Sequence, residues 1–225
     1  ELPDAPPTVN EKRAAESEAK REAVSAARLD KIATRGKPTA DDRELMEWAK
    51  ANPQATEVDR RRKEITDVGA YAMATSCPNL AMIGLFETRV GDLGARAIAA
   101  SCPQLSYIDF HDTQLTDVGA QAIAASCSKL CYIDCRDTRV TDVGAQAIAT
   151  SCPNLTEMHV HGSGVTDAWK QQMNAARPNL KVYVSKGSGE HGGGGRAAAT
   201  RFRARPPPLR GQWCPTSFMS VANHT

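Results

Sequence analysis

The chain has 225 residues, of which 41% are hydrophobic and only 5% are aromatic. So few aromatic residues are unusual for one compact core and favour a repeated core of aliphatic side chains. The mean hydropathy is −0.43, and no apolar run approaches the roughly 18 residues of a membrane span, so we predict no transmembrane segment.

The formal net charge of +2 is distributed unevenly along the chain. Residues 1–63 carry +1, residues 64–185 carry −4 and residues 186–225 carry +5. The last segment is rich in Gly, Arg and Pro, which predicts a disordered or extended tail. This basic tail either stays in solvent or contacts an acidic protein surface or RNA.

Two segments precede the acidic middle of the chain. Residues 1–38 are rich in Ala, Glu, Lys and Arg and predict a charged helical extension. Its apolar face is too thin to fold alone, so it lies on a partner or is solvated. Residues 39–63 predict a helical cap and a degenerate repeat, because Thr39 and Asp42 have the spacing of a capping pair. We expect Trp48 to cover the open end of the core.

A repeat of 25 residues fills the segment 64–185. The letters TDVGA at 66–70 return at 116–120 and 141–145, with GDLGA at 91–95 between them. A Ser-Cys pair keeps the same step and ends at Cys77, Cys102, Cys127 and Cys152. Two landmarks in phase over four copies indicate a solenoid of stacked units.

Each unit predicts a strand, a turn, a helix and a second turn. Ile108 and Phe110 alternate as in a strand, and the segment from Thr116 has apolar residues at helical spacing. Thr116 is predicted to be the N-cap, and Asp117 complements the helix dipole in the first turn. We therefore interpret the repeated aspartates as helix caps and not as catalytic groups: Asp67, Asp92, Asp117 and Asp142.

These residues resemble the cysteine-containing leucine-rich-repeat family, whose repeats occur in F-box proteins. The I-T-D-x-G and C-P parts of the family pattern match closely over about residues 64–185. Where the family has its first cysteine, this chain has hydroxyl residues that we expect to bond the loop backbone: Thr88, Thr113, Thr138 and Ser163. The resemblance implies an α/β fold, a short leucine-rich-repeat solenoid with a parallel concave sheet and convex helices.

The seven cysteines are interpreted as reduced thiols. One Cys per repeat cannot gather the closely spaced ligands of a zinc site, so these residues are predicted to be small core side chains. Cys131 and Cys135 lie on one strand and are not expected to pair. Reduced thiols predict an intracellular, reducing compartment, with the cytoplasm, the mitochondrion and the plastid left open.

The concave face is the predicted binding surface, because equivalent residues of adjacent repeats line up across its strands. We expect water to reach all of this face, and Arg136 to neutralise Asp134 or Asp137. Tyrosines of this kind are enriched in binding hot spots. The predicted partner-binding residues are Met82, Phe86, Tyr107, Asp109, His111, Tyr132, Asp134, Arg136, Glu157, His159 and His161.

The sequence thus predicts a non-enzymatic interaction module or scaffold subunit of a larger assembly, with protein partners and no catalytic residue, cofactor or metal. One alternative is the substrate-recognition subunit of a ubiquitin ligase. Residues 1–51 lack the composition of an F-box, although the start at Glu1 indicates a processed or trimmed chain. A second alternative is a metal-dependent enzyme that uses Asp109, Asp134, His159 and His161.

Overall fold

The computed structural model describes residues 36–184, in which six helices alternate with six strands. The helices are α1 Ala40–Ala51, α2 Asp67–Ser76, α3 Asp92–Ser101, α4 Asp117–Ser126, α5 Asp142–Ser151 and α6 Asp167–Ala176. The strands are β1 Glu57–Asp59, β2 Met82–Gly84, β3 Tyr107–Asp109, β4 Tyr132–Asp134, β5 Glu157–His159 and β6 Lys181–Tyr183. The predicted helical extension and C-terminal tail lie almost wholly outside the described residues.

The strands form one parallel sheet in chain order, β1 to β6. In each strand the middle residue is buried against the helices. Each middle residue lies opposite the middle residue of the next strand, as Ile108 does opposite Ile133. The 25-residue period places like residues in line, so that Leu80, Leu105 and Leu130 form another fully buried row. The predicted fold class, a short leucine-rich-repeat solenoid, is confirmed.

The hydroxyl residues of each turn make the predicted backbone bonds. Thr88 Oγ1 donates to the Leu85 carbonyl at 2.7 Å, and Thr113, Thr138 and Ser163 repeat this bond at the same distance. The three threonines are buried. The hydroxyl therefore satisfies a carbonyl that the turn removes from the sheet.

The repeated aspartates cap helices, as predicted, and the helix that each one caps belongs to the next repeat. The threonine N-caps bond their own helices, as Thr116 Oγ1 accepts from Val118 N. Asp117 instead reaches the next repeat, where its carboxylate accepts from Thr141 N, Thr141 Oγ1 and Gly144 N. Each such carboxylate thus caps the following helix, a partner that the sequence interpretation did not specify. We name this row of aspartates the carboxylate ladder: Asp42, Asp67, Asp92, Asp117 and Asp142.

The first helix belongs to the same stack. The capping box predicted from Thr39 and Asp42 is present, and Asp42 also accepts from Thr66 N and Thr66 Oγ1 at 2.8 and 2.7 Å. Trp48 packs half-buried against the core, and the Arg60 guanidinium lies 4.8 Å from its ring centroid. Helix α1 therefore supplies the first carboxylate of the ladder and a cover for the core.

The cysteines at the helix ends are buried core residues. Their thiols point to carbonyls of the preceding repeat, as Cys152 Sγ does to Cys127 O at 3.5 Å. Burial raises the pKa of Cys102 and Cys127 to about 12 and that of Cys152 to about 11. The thiols are therefore protonated at neutral pH, and all six cysteines of the described part are free.

Candidate functional site

The surface of the sheet that faces away from the helices carries the predicted site, and we call it the strand face. It consists of the first and third residues of each strand, which flank the buried middle residue, and of the residue two positions after the third. Three columns cross the sheet there. The first is Glu57, Met82, Tyr107, Tyr132, Glu157 and Lys181, and the second is Asp59, Gly84, Asp109, Asp134, His159 and Tyr183. The third is Arg61, Phe86, His111, Arg136 and His161, so all eleven predicted residues lie on the strand face.

Four rings form a continuous stack across strands β3 to β6, which we call the aromatic row. Tyr107 and Tyr132 stack at 4.4 Å with an interplanar angle of 6°. Tyr132 contacts His159 at 5.3 Å, and His159 stacks on Tyr183 at 4.4 Å. Stacking fixes these rings before any partner arrives, which reduces the conformational entropy lost on binding.

Tyr183 is the member of the aromatic row that the sequence reasoning missed. Its strand pairs one residue earlier than the 25-residue step predicts, since Glu157 lies opposite Lys181. The available signal was the alternation in β6, where buried Val182 stands between two exposed residues. Tyr183 is 38% exposed, the most open large side chain of the row.

The two predicted aspartates of the strand face, Asp109 and Asp134, are less accessible than expected. Asp109 is 8% exposed and Asp134 only 1%, so the expectation that water reaches all of this face is wrong. Arg136 covers Asp134, with Nε 2.9 and 2.8 Å from the two carboxylate oxygens. Of the two partners predicted for Arg136, Asp134 is therefore the one that it neutralises.

Burial shifts five titratable groups of the strand face towards their neutral forms. Burial, together with the charge of Asp134, raises the pKa of Asp109 to about 6. Burial also lowers the pKa of His159 and His161, and it raises the pKa of Tyr107 and Tyr132. At neutral pH the aromatic row is therefore uncharged, and Asp109 is ionised at a cost in free energy.

Replacing Asp109 with asparagine is expected to stabilise the fold at neutral pH by about 2 kcal/mol. The carboxyl titrates near 3.8 when unfolded and near 6 when folded. The folded state thus holds this proton more tightly, so stability falls as pH rises from about 4 to above 6. Urea unfolding between pH 4 and 8 measures the effect, and an unchanged pH slope in Asp109→Asn would contradict it.

A pocket of about 260 Å³ opens on the strand face at Gly84. Gly84 has no side chain, and a Cβ there would lie 3.3 Å from Asp59 Oδ1. Residues of strands β1 and β3 line the pocket on the two sides of Gly84. Its polar lining is Glu57, Asp59, Arg61, Tyr107 and Asp109, with Met82 beside them.

The geometry does not favour the metal-dependent enzyme. Within residues 36–184, no group of three or more His, Cys, Asp or Glu side chains is placed to hold a metal ion. Arg136 occupies the carboxylate of Asp134, and the rings of His159 and His161 are 6.2 Å apart.

The part of the chain that the structure describes also has no helix long and apolar enough to cross a membrane.

The sheet, its alternating helices and the 25-residue period define this part of the chain as a leucine-rich-repeat-type solenoid. No protein-family model matches the sequence, and no curated protein matches it. Among solved structures, the chain is similar to one described as leiomodin-1 actin-binding site 2. The identity is 18% and the TM-score 0.40, over 66% of this chain and 81% of that chain.

Proposed function

We propose that this protein is a non-enzymatic interaction module that binds a protein partner through its strand face. The aromatic row is the observation that carries this proposal. Tyrosines with few rotatable bonds and half-buried rings are typical of interface hot spots. The row is uncharged and already ordered, so a partner can cover it without burying an ion or fixing mobile side chains.

Exposed acidic residues border the third column of the strand face and indicate the character of the partner. Glu87, Asp112 and Asp137 directly follow Phe86, His111 and Arg136, and all three acidic residues are exposed and have positive φ. His111 Nε2 contacts Asp137 Oδ2 at 2.9 Å, and Arg62 lies 3.2 Å from Glu87. This acidic border favours a partner with basic groups, chiefly through orientation and association rate.

The chain fits a scaffold or structural subunit of a larger assembly. The solenoid is short and offers one patch, while residues 1–38 and 186–225 supply two charged arms that a neighbour can contact. The free, protonated cysteines favour a reducing compartment.

Replacing both Tyr107 and Tyr132 with alanine is expected to weaken partner binding by about 30-fold or more. The change removes the centre of the aromatic row and its stacking at 4.4 Å. Partners are first identified by co-purification with the wild-type chain and mass spectrometry. Their affinities for wild type and variant are then measured with purified proteins.

The matched control is Tyr71→Ala, which removes a tyrosine from helix α2 instead of the strand face. Urea unfolding of each variant shows that the solenoid remains folded at the temperature of the binding assay. Retention of every partner by the folded double variant would overturn the proposal. Equal loss in Tyr71→Ala would also count against a site on the strand face.

A further inference from the structure

The second column of the strand face contains three aspartates, and an arginine is paired with two of them. Asp59 is paired by Arg61, with Nε 2.8 Å from Oδ1 and Nη2 2.6 Å from Oδ2. Asp134 is paired by Arg136 in the same way, two residues further on. In both repeats, therefore, the strand face supplies its own guanidinium to its own carboxylate.

Asp109 occupies the same position, two repeats after Asp59 and one repeat before Asp134, but has no such partner. The residue two positions further on is His111, whose ring stacks on Phe86 at 4.5 Å and contacts Asp137. Among the described residues, the Asp109 carboxylate receives a hydrogen bond from the backbone N–H of His111, at 3.0 Å, and none from a side chain. A carboxylate that is 8% exposed is thus left without a side chain bonded to it, and Arg136 favours its charge only from a distance.

The pocket at Gly84 opens beside this carboxylate. Asp109, Asp59 and Glu57 contribute three carboxylates to its lining, against one guanidinium from Arg61. Tyr107 and Met82 add an aromatic ring and a thioether chain, which suit the aliphatic stem of a long cationic side chain. The volume of about 260 Å³ is small for a drug-sized ligand and adequate for one such side chain.

We propose that the pocket at Gly84 receives an arginine side chain from a basic segment of the partner protein, whose guanidinium pairs with Asp109. The repeats of Asp59 and Asp134 show the chemistry, because each pairs its aspartate with a guanidinium. A planar guanidinium meets a carboxylate with two parallel hydrogen bonds, which an ammonium group cannot do. The inference deepens the proposed function and rests on it, since it names the partner group that the strand face selects.

The pairing removes the cost of an ionised Asp109. Burial and the nearby Asp134 oppose its negative charge, as the raised pKa of about 6 shows. Asp134 is already neutralised by Arg136, and Asp59 by Arg61. An incoming guanidinium therefore gains most from Asp109, and it lowers the pKa of that carboxyl.

The test uses the full 225-residue chain and a blocked tripeptide, acetyl-Gly-Arg-Gly-amide. Carboxyl-carbon NMR follows the titration of Asp109 with and without the peptide. We expect a saturable shift that lowers the pKa of Asp109 by about one unit or more. The lysine peptide is expected to bind about tenfold more weakly or worse, and the glutamine peptide not measurably.

Three variants locate the binding site. Gly84→Leu fills the pocket, and His111→Arg supplies an arginine two residues after Asp109, as in the repeats of Asp59 and Asp134. Both are expected to lose the peptide-induced shift and remain folded. Asp167→Asn, which removes an exposed carboxylate of helix α6 outside the strand face, is the matched control and is expected to bind as wild type does.

Binding of the glutamine or lysine peptide as strong as that of the arginine peptide would overturn the proposal. So would unaltered binding by folded Gly84→Leu and His111→Arg, or equal loss in Asp167→Asn. The peptide assay requires no natural partner. Its failure is therefore distinguishable from failure of the proposed function, which the Tyr107 and Tyr132 double variant tests with natural partners.

Discussion

Asp117→Ala is expected to lower the free energy of unfolding by about 3 kcal/mol. The Asp117 carboxylate accepts from Thr141 N at 2.7 Å, from Thr141 Oγ1 at 2.6 Å and from Gly144 N at 3.0 Å. Alanine leaves two backbone N–H groups at the start of helix α5 without acceptors. It also removes a negative charge from the positive end of that helix dipole. The measurement is urea unfolding monitored by circular dichroism.

Asp142→Ala is the internal comparison for this prediction. Asp142 accepts only two bonds, from Thr166 N and Thr166 Oγ1, and both are exposed. Trp169 stands where the other repeats have glycine. Its backbone N–H donates to Thr166 Oγ1 and not to the Asp142 carboxylate. We expect a loss of about 1 kcal/mol there. Equal losses at positions 117 and 142 would show that the carboxylate ladder contributes nothing beyond a general effect of charge.

The glycine of each TDxG segment is explained by the same ladder. A Cβ at Gly144 would lie 2.5 Å from Asp117 Oδ1 and 2.9 Å from the Ala120 side chain. Such distances force the carboxylate away from the N–H groups that it caps. The repeated glycine therefore reflects the close approach of the preceding carboxylate and not a special backbone angle, since no positive φ occurs at these positions.

The sequence contains most of the fold because its period is visible without knowledge of any contact. Two landmarks at a 25-residue step predict the strand order, the burial of Ile108 and Ile133, and the hydroxyl bonds of the turns. The function of Asp117 is not visible in this way, since its partners lie 24 and 27 residues away. An aspartate in the first turn of a helix looks the same locally whether it caps its own helix or the next one.

The sequence predicts which residues form the candidate site better than it predicts how deeply they are buried. The columns of the strand face follow from the repeat, so the residues of the site could be named. The burial of Asp134 depends on the direction that the Arg136 side chain takes, which the period does not determine. The pocket at Gly84 depends on a missing side chain, and Tyr183 joins the aromatic row because the last step is shorter by one residue.

The second large effect on stability is expected at the C-terminal end of the row of buried cysteines, which we call the cysteine row: Cys77, Cys102, Cys127 and Cys152. Arg177 stands 25 residues after Cys152, where the repeat would place another cysteine. Its guanidinium donates to the carbonyls of Cys152, Pro153 and Leu155 at 3.2, 3.0 and 3.2 Å, and it also contacts the carbonyl of Ala149. One side chain thus satisfies four carbonyls at the end of helix α5 and in the turn that follows.

Arg177→Ala is expected to destabilise the solenoid by about 3 kcal/mol, because these carbonyls lose a charged donor in a partly buried place. Arg177→Cys restores the residue of the preceding repeats, whose thiol makes one weak carbonyl contact, as at Cys152. We therefore expect Arg177→Cys to fall between alanine and wild type in urea unfolding under reducing conditions. If Arg177→Cys were as stable as wild type, the guanidinium would add nothing to the ordinary thiol of the row. If it were no better than alanine, the position would not continue the cysteine row at all.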